Sequence, residues 1–91
     1  MTLLHVLTGP AWSAGLPTTP DNSFLHLCSP EQLDFVVARH FRQRAGLIVL
    51  HLDPTQLIDV RWEASEPDMA PFPHLYGPLD PGAVMQVETL R

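Results

Sequence analysis

"SPEQLDFVVARHFRQRAG", residues 29–46, carries the start, body and stop signals of one amphipathic helix. Ser29 is an N-cap, Pro30 occupies the first helical position, where its missing N–H is not needed, and Gln32 completes a capping box. Leu33, Val36, Val37, His40 and Phe41 recur at helical spacing, Arg39, Arg42 and Arg44 gather toward the negative end, and Gly46 stops the run. The pattern predicts a main helix over about residues 30–44.

The flanking sequence reads as short strands and turns around that helix. "LLHVL", residues 3–7, is an apolar run, and in the following "TGPAWSAG" Thr8 can cap and Pro10 can start a short helix that Gly15 ends. Residues 16–23, "LPTTPDNS", form a loop. "FLHLC", residues 24–28, is apolar on both faces, Phe24, His26 and Cys28 on one and Leu25 and Leu27 on the other, and is expected to be a central strand. "LIVLHL", residues 47–52, is a second buried strand followed by the capped turn "DPTQL". In "IDVRWE", residues 58–63, Ile58, Val60 and Trp62 alternate with Asp59, Arg61 and Glu63, which predicts a strand covered on the Ile58 side and solvated on the other. A polar loop over 64–71 leads to "FPHLY", a short strand broken by proline, and "AVMQVETL" closes the chain after the "PLDPG" turn. The expected fold class is α+β, with one main helix and six short, mostly antiparallel strands.

Composition narrows the function classes. A chain of 91 residues is read as a single domain, 1–91, that buries about 60 to 65 per cent of its unfolded surface. Although 45% of residues are hydrophobic, no apolar run approaches the roughly 20 residues of a membrane span. The N-terminal "MTLLHVLTGP" lacks a basic region and a cleavage site, so it reads as a strand and not a signal peptide. Together with a lone cysteine, Cys28, this gives a cytoplasmic expectation. Ten acids against five arginines and no lysine, a net charge of −5, argue against broad nucleic-acid binding. A small anionic ligand is still compatible with a local arginine or with backbone N–H groups.

Five histidines and one tyrosine are the candidate chemistry. His74 and Tyr76 point to the same side of a strand, while Pro73 and Pro78 remove donors and are expected to confine the segment to a sheet edge or rim, where two polar rings make a pocket wall. His5 and His26 lie on apolar segments, where a histidine is either a satisfied core residue or a ligand. His40 marks the border of the helix face, and His51 ends a strand. The Ser29 hydroxyl is wanted by the helix start, and Arg61 and Glu63 share a face that by default is solvated. No two histidines lie closer than eleven residues and there is no CxxC, so spacing gives no zinc site. Neither a G-x-S-x-G elbow nor a G-x-G-x-x-G or Walker sequence is present.

The segments "LLHVLT", "FLHLCSPEQL", "LIVLHLDPTQL", "VRWE" and "FPHLYGPL" resemble domain-of-unknown-function family 952, small and mostly bacterial proteins, from Leu3 to about Leu90. The resemblance implies a fold grouped with the ADP-ribosyltransferases, two small crossed sheets around a cleft that holds NAD in the active relatives. It places His5 and Thr8 at a first-strand ligand-binding motif, and His26 to Ser29 where the second strand enters its helix. His74, Tyr76 and Glu63 are then the catalytic candidates, with Glu63 a possible electrostatic helper because "FPHLYG" itself offers no acid. The implied function is binding of NAD or an ADP-ribose-like molecule, with enzymatic turnover left open. A non-catalytic binding or regulatory module and a partner-interaction domain remain the alternatives, and neither a metal nor an oligomeric state follows from the sequence.

Overall fold

Leucines and valines on both faces of "LLHVLT" and "LIVLHL" require cover on two sides, and the fold supplies it from two directions. The computed structural model describes residues 1–90. In chain order the elements are β1 (Leu3–Thr8), α1 (Gly9–Ser13), β2 (Leu25–His26), a 3₁₀ turn (Pro30–Gln32), α2 (Leu33–His40), β3 (Leu47–Leu52), β4 (Val60–Glu63), β5 (Phe72–Leu75) and β6 (Val84–Leu90). They form two three-stranded antiparallel sheets, ordered β1-β3-β6 and β2-β5-β4. Leu3, Leu7, Leu50 and Leu52 project from one face of the first sheet onto Leu25, Leu27 and Leu75 of the second. From its other face, Leu4, Val6, Leu47 and Val49 meet Leu33, Val36, Val37 and Phe41 of the helical segment. The two sheets therefore pack against each other on one side, while α2 covers the other side of the first sheet and also reaches Phe72 on the outer face of the second. Burying each such side chain contributes about 1.5 to 3 kcal/mol.

The segment at 24–28 is not a central strand, because it is shared between the sheets. Leu25 and His26 pair with Leu75 and His74 at the edge of the second sheet. Two residues later Cys28 exchanges backbone hydrogen bonds of 2.7 and 2.8 Å with Leu4 of β1. Its apolar groups on both faces are explained by this crossing from one sheet to the other.

Pro73 also corrects the sequence reading, since β5 is the middle strand of its sheet and Pro73 is fully buried. In an antiparallel ladder the N–H and C=O of one residue point to the same neighbour. The Pro73 carbonyl accepts from Leu27 N at 3.1 Å, so the missing N–H faces the place where β2 has already left the sheet. Phe72 and His74, which keep their N–H groups, face β4.

The main helix is shorter than residues 30–44. Its first turn is 3₁₀, α2 ends at His40, and Phe41 leaves helical geometry at φ −127° as its ring turns into the core. Left-handed Gln43 (φ 62°) and Gly46 (φ 71°) then reverse the chain into β3, and the Gly46 carbonyl accepts from Gly9 N at 3.0 Å. β4 is likewise shorter than 58–63: Asp59 has φ 65°, which turns Ile58 out to 73% exposure. Only Val60 of the expected apolar face packs on the core, and Trp62 is half exposed. Among the described residues no helix is long and apolar enough to cross a membrane.

Candidate functional site

The centre of the site is set by cross-strand register in the second sheet. His74 lies opposite His26 of β2 on one side and Arg61 of β4 on the other, and Phe72 lies opposite Glu63. Residues directly opposite share a face, so Phe24, His26, Arg61, Glu63, Phe72, His74 and Tyr76 all stand on the side away from the inter-sheet core. Glu63 reaches diagonally: its Oε1 accepts from His74 Nδ1 at 2.9 Å and from the Tyr76 hydroxyl at 2.5 Å. These two bonds, the Tyr76 one first, hold the Glu63 carboxyl below its ordinary value and so ionised at neutral pH, and the same bond pushes the Tyr76 hydroxyl up. The arrangement fixes the orientation of the His74 ring, because a carboxylate oxygen accepts from Nδ1–H and leaves Nε2 turned away from Glu63.

His74 is buried, and packing holds its plane as firmly as Glu63 holds its edge. Phe24 stacks on it with centroids 3.9 Å apart, and His26 meets it edge-on at 5.5 Å. Among the described residues no fully buried side-chain nitrogen or oxygen lacks a hydrogen-bond partner. His74 Nε2, which makes no hydrogen bond, is therefore reached from the cleft that the ring lines. On the far side of Tyr76, the Arg61 guanidinium lies 4.0 Å from the ring centre and is held by Asp59 at 2.9 and 3.1 Å. This clamp fixes the tyrosine that helps to fix Glu63.

The cleft has a volume of about 520 Å³, within the range of small-molecule sites. It runs between α2, the start of the first sheet and the outer face of the second. His5, His26, His40 and His74, four of the chain's five histidines, line it. His5 Nδ1 donates to the His26 carbonyl at 2.7 Å, satisfying an edge-strand acceptor that β5 cannot reach. Burial lowers the affinity of His5 for a proton, partial desolvation lowers that of His26, which is otherwise exposed, and neighbouring imidazoles add to both effects. The fifth histidine, His51, is bound to Glu88 at 2.8 Å on another strand pair.

Of the residues expected from sequence to form a site, His5, His26, His74, Tyr76 and Glu63 come together through β1, β2, β4 and β5. Of these only the three histidines line the cleft, and Glu63 and Tyr76 join it through their bonds behind His74. Tyr76 faces a separate hollow with Asp59 and Arg61, so His74 and Tyr76 do not form one pocket wall. Thr8 and Ser29 lie outside the cleft. The Thr8 hydroxyl accepts from Ala11 N at 3.2 Å as the cap of α1, and Ser29 is buried at the helix start, its N–H donating to Gln32 Oε1 at 3.0 Å. Phe24, Phe35 and Arg39 line the cleft and were missed. The two-residue spacing of Phe24 and His26 was a usable signal, whereas nothing in the sequence marks Arg39.

The pattern that defines the protein of unknown function family DUF952 matches residues 8–87. Two crystal structures of the protein CC0527 from Caulobacter crescentus, one of them a double mutant, resemble the chain over 100% of its length and 87% of theirs. Their TM-scores are 0.82 and 0.84, with sequence identities of 31% and 30%. No curated protein matches the sequence. On the extent of the family match, and with solved structures that follow it over its full length, the chain belongs to the DUF952 family.

Proposed function

We propose that the histidine-lined cleft binds a nucleotide-like small molecule, NAD or an ADP-ribose-like compound, with His74 as the group that grips or acts on it. The observation that carries this reading is the convergence of four of five histidines on one cleft, with buried His74 oriented by a carboxylate. Nε2 of His74 is a hydrogen-bond acceptor or general base of fixed direction. Phe24, Phe35 and Phe72 supply flat apolar surface for a base or nicotinamide ring, and His5 and His26 supply polar edges.

Kinship with the ADP-ribosyltransferases belongs to this proposal. In such enzymes a glutamate steadies the oxocarbenium-like sugar left when nicotinamide departs. Here one oxygen of Glu63 is taken by both His74 and Tyr76, which makes Glu63 a positioning residue. The reading therefore favours binding with little or no turnover.

The test pairs calorimetric titration of NAD, ADP-ribose and sugar phosphates with product detection from NAD, on wild type, His74→Ala and Glu63→Gln. Wild type is expected to bind, His74→Ala to bind roughly 5- to 150-fold more weakly, and no product to accumulate. Turnover surviving in both variants would overturn the assigned roles, and absence of any binding would leave the histidines a structural cluster.

A further inference from the structure

The lining of the cleft does not share the acidity of the chain. Arg39 and His40, from the last turn of α2, line it together with His26, against the single acid Glu66. Among the described residues the ion pairs are His51–Glu88, Arg61–Asp59 and His74–Glu63, and Arg39 is in none of them. In a chain with ten acids and five arginines, a cleft lined by one arginine and one acid carries none of the overall negative charge, and its arginine has no acid partner. The negative pole of α2 accounts for cations at its end. It does not account for their lining one cavity with a histidine from the opposite sheet.

We propose that the cleft's ligand carries a phosphate or pyrophosphate group seated between Arg39, His40 and His26, and that its binding is coupled to proton uptake by His26. The proposal rests on the nucleotide-like reading above and names the part of the ligand that this end of the cleft recognises. A guanidinium matches phosphate oxygens with two parallel donors. His26 is flanked by His5 at its carbonyl, His74 against its ring, His40 and Arg39 from α2, Glu66 from the 64–71 loop, and Glu63 beyond His74. Without ligand, partial desolvation against the cleft wall and then His74 and His40 disfavour a proton on it. A phosphate anion within reach reverses that field and favours the imidazolium.

The experiment titrates inorganic pyrophosphate, ADP-ribose and adenosine into the intact protein at about pH 6 and about pH 8, in buffers of different ionisation enthalpy. Pyrophosphate and ADP-ribose are expected to bind at least about fivefold more tightly at the lower pH, since uptake of one proton gives at most about tenfold per pH unit. The heats should report that uptake. Adenosine is expected to bind weakly and without pH dependence. Arg39→Gln, a change at an exposed position, should weaken both phosphate compounds by about tenfold or more and leave adenosine unchanged. His26 ring resonances, followed in wild type during the pyrophosphate titration, give the same answer without a variant. Equal binding of adenosine and ADP-ribose, with Arg39→Gln neutral, would overturn the phosphate subsite and leave the nucleotide-like reading standing. Phosphate binding with no proton uptake would overturn the coupling to His26, and no binding by any of the three would overturn both readings.

Discussion

Gly77→Ala is expected to damage both the fold and the site through one methyl group. A Cβ on Gly77 would lie 2.3 Å from the Ile58 carbonyl oxygen and 3.2 Å from its carbon. Gly77 has no positive φ, so space and not backbone angle demands the glycine. Restoring an ordinary carbon–oxygen contact of about 3.3 Å requires the two segments to part by roughly 1 Å. The contact is backbone to backbone, so no side chain can swing away. Parting stretches the 2.9 Å bond from Tyr76 N to the Asp59 carbonyl beyond hydrogen-bonding range and disturbs the 2.6 Å bond from the Thr19 hydroxyl to Gly77 O. It also pulls Tyr76 from the Arg61 guanidinium and the Glu63 carboxylate. Overpacking of about 1 to 3 kcal/mol plus one lost hydrogen bond of about 1 kcal/mol gives a destabilisation of about 2 to 4 kcal/mol. In a domain of this size that lowers the melting temperature by roughly 10 °C or more. Thermal unfolding followed by circular dichroism measures it. Gly82→Ala is the control, because its Cβ meets only the Asp80 side chain, at 3.3 Å. A Gly77→Ala protein that melts within about 2 °C of wild type would refute the packing argument.

The remaining predictions concern the core, the thiol and acid stability. Leu75→Ala, at a fully buried centre of the inter-sheet core, should cost about 2 to 5 kcal/mol in chemical denaturation; a loss under about 1 kcal/mol would show that the two sheets do not pack there. Burial pushes the Cys28 thiol up to about 11, so a thiol-specific chromogenic reagent should leave the native protein unmodified at mildly alkaline pH and react fully once it is denatured. Burial holds His5 below its ordinary value of 6.5, so the unfolded chain takes up this proton more readily than the folded one. The His5 contribution to stability is fully present above 6.5 and declines as pH falls below it, with a slope of at most about 1.4 kcal/mol per pH unit. Denaturation midpoints through that range should fall with pH in wild type and fall less steeply in His5→Gln; equal slopes would remove His5 from the account.

How much of this was legible in the sequence depended on whether a feature was local. The capping signals at Ser29 and Gln32, the apolar run of β3 and the shared face of His74 and Tyr76 need only neighbouring residues. Pro73 was misplaced at an edge because the rule for proline concerns a missing donor, and whether that donor has a partner depends on where β2 ends. Phe24 to Cys28 looked like one central strand because both faces are apolar. Two different sheets cover those faces, and no pattern within five residues distinguishes that from one sheet covered twice. Glu63 reads as a solvated residue from its strand alone and becomes a candidate only through the family resemblance, because its partners are set by the diagonal reach from a position opposite Phe72 to His74, and register between β4 and β5 is not encoded in the spacing of either strand. The early end of α2 follows from a demand of the tertiary fold, the turn of Phe41 into the core and the reversal at Gln43 into β3.

If His5, His26, His40 and His74 form one ligand-binding wall, all four rings sense a bound ligand. Histidine-selective two-dimensional NMR of the wild-type protein, recorded as ADP-ribose is added, tests it most directly. Saturable shifts are expected in the ring signals of these four residues, with none at His51, whose ring is bound to Glu88 away from the cleft. Spectra that do not change, or that change at His51 as much as at His74, would contradict it.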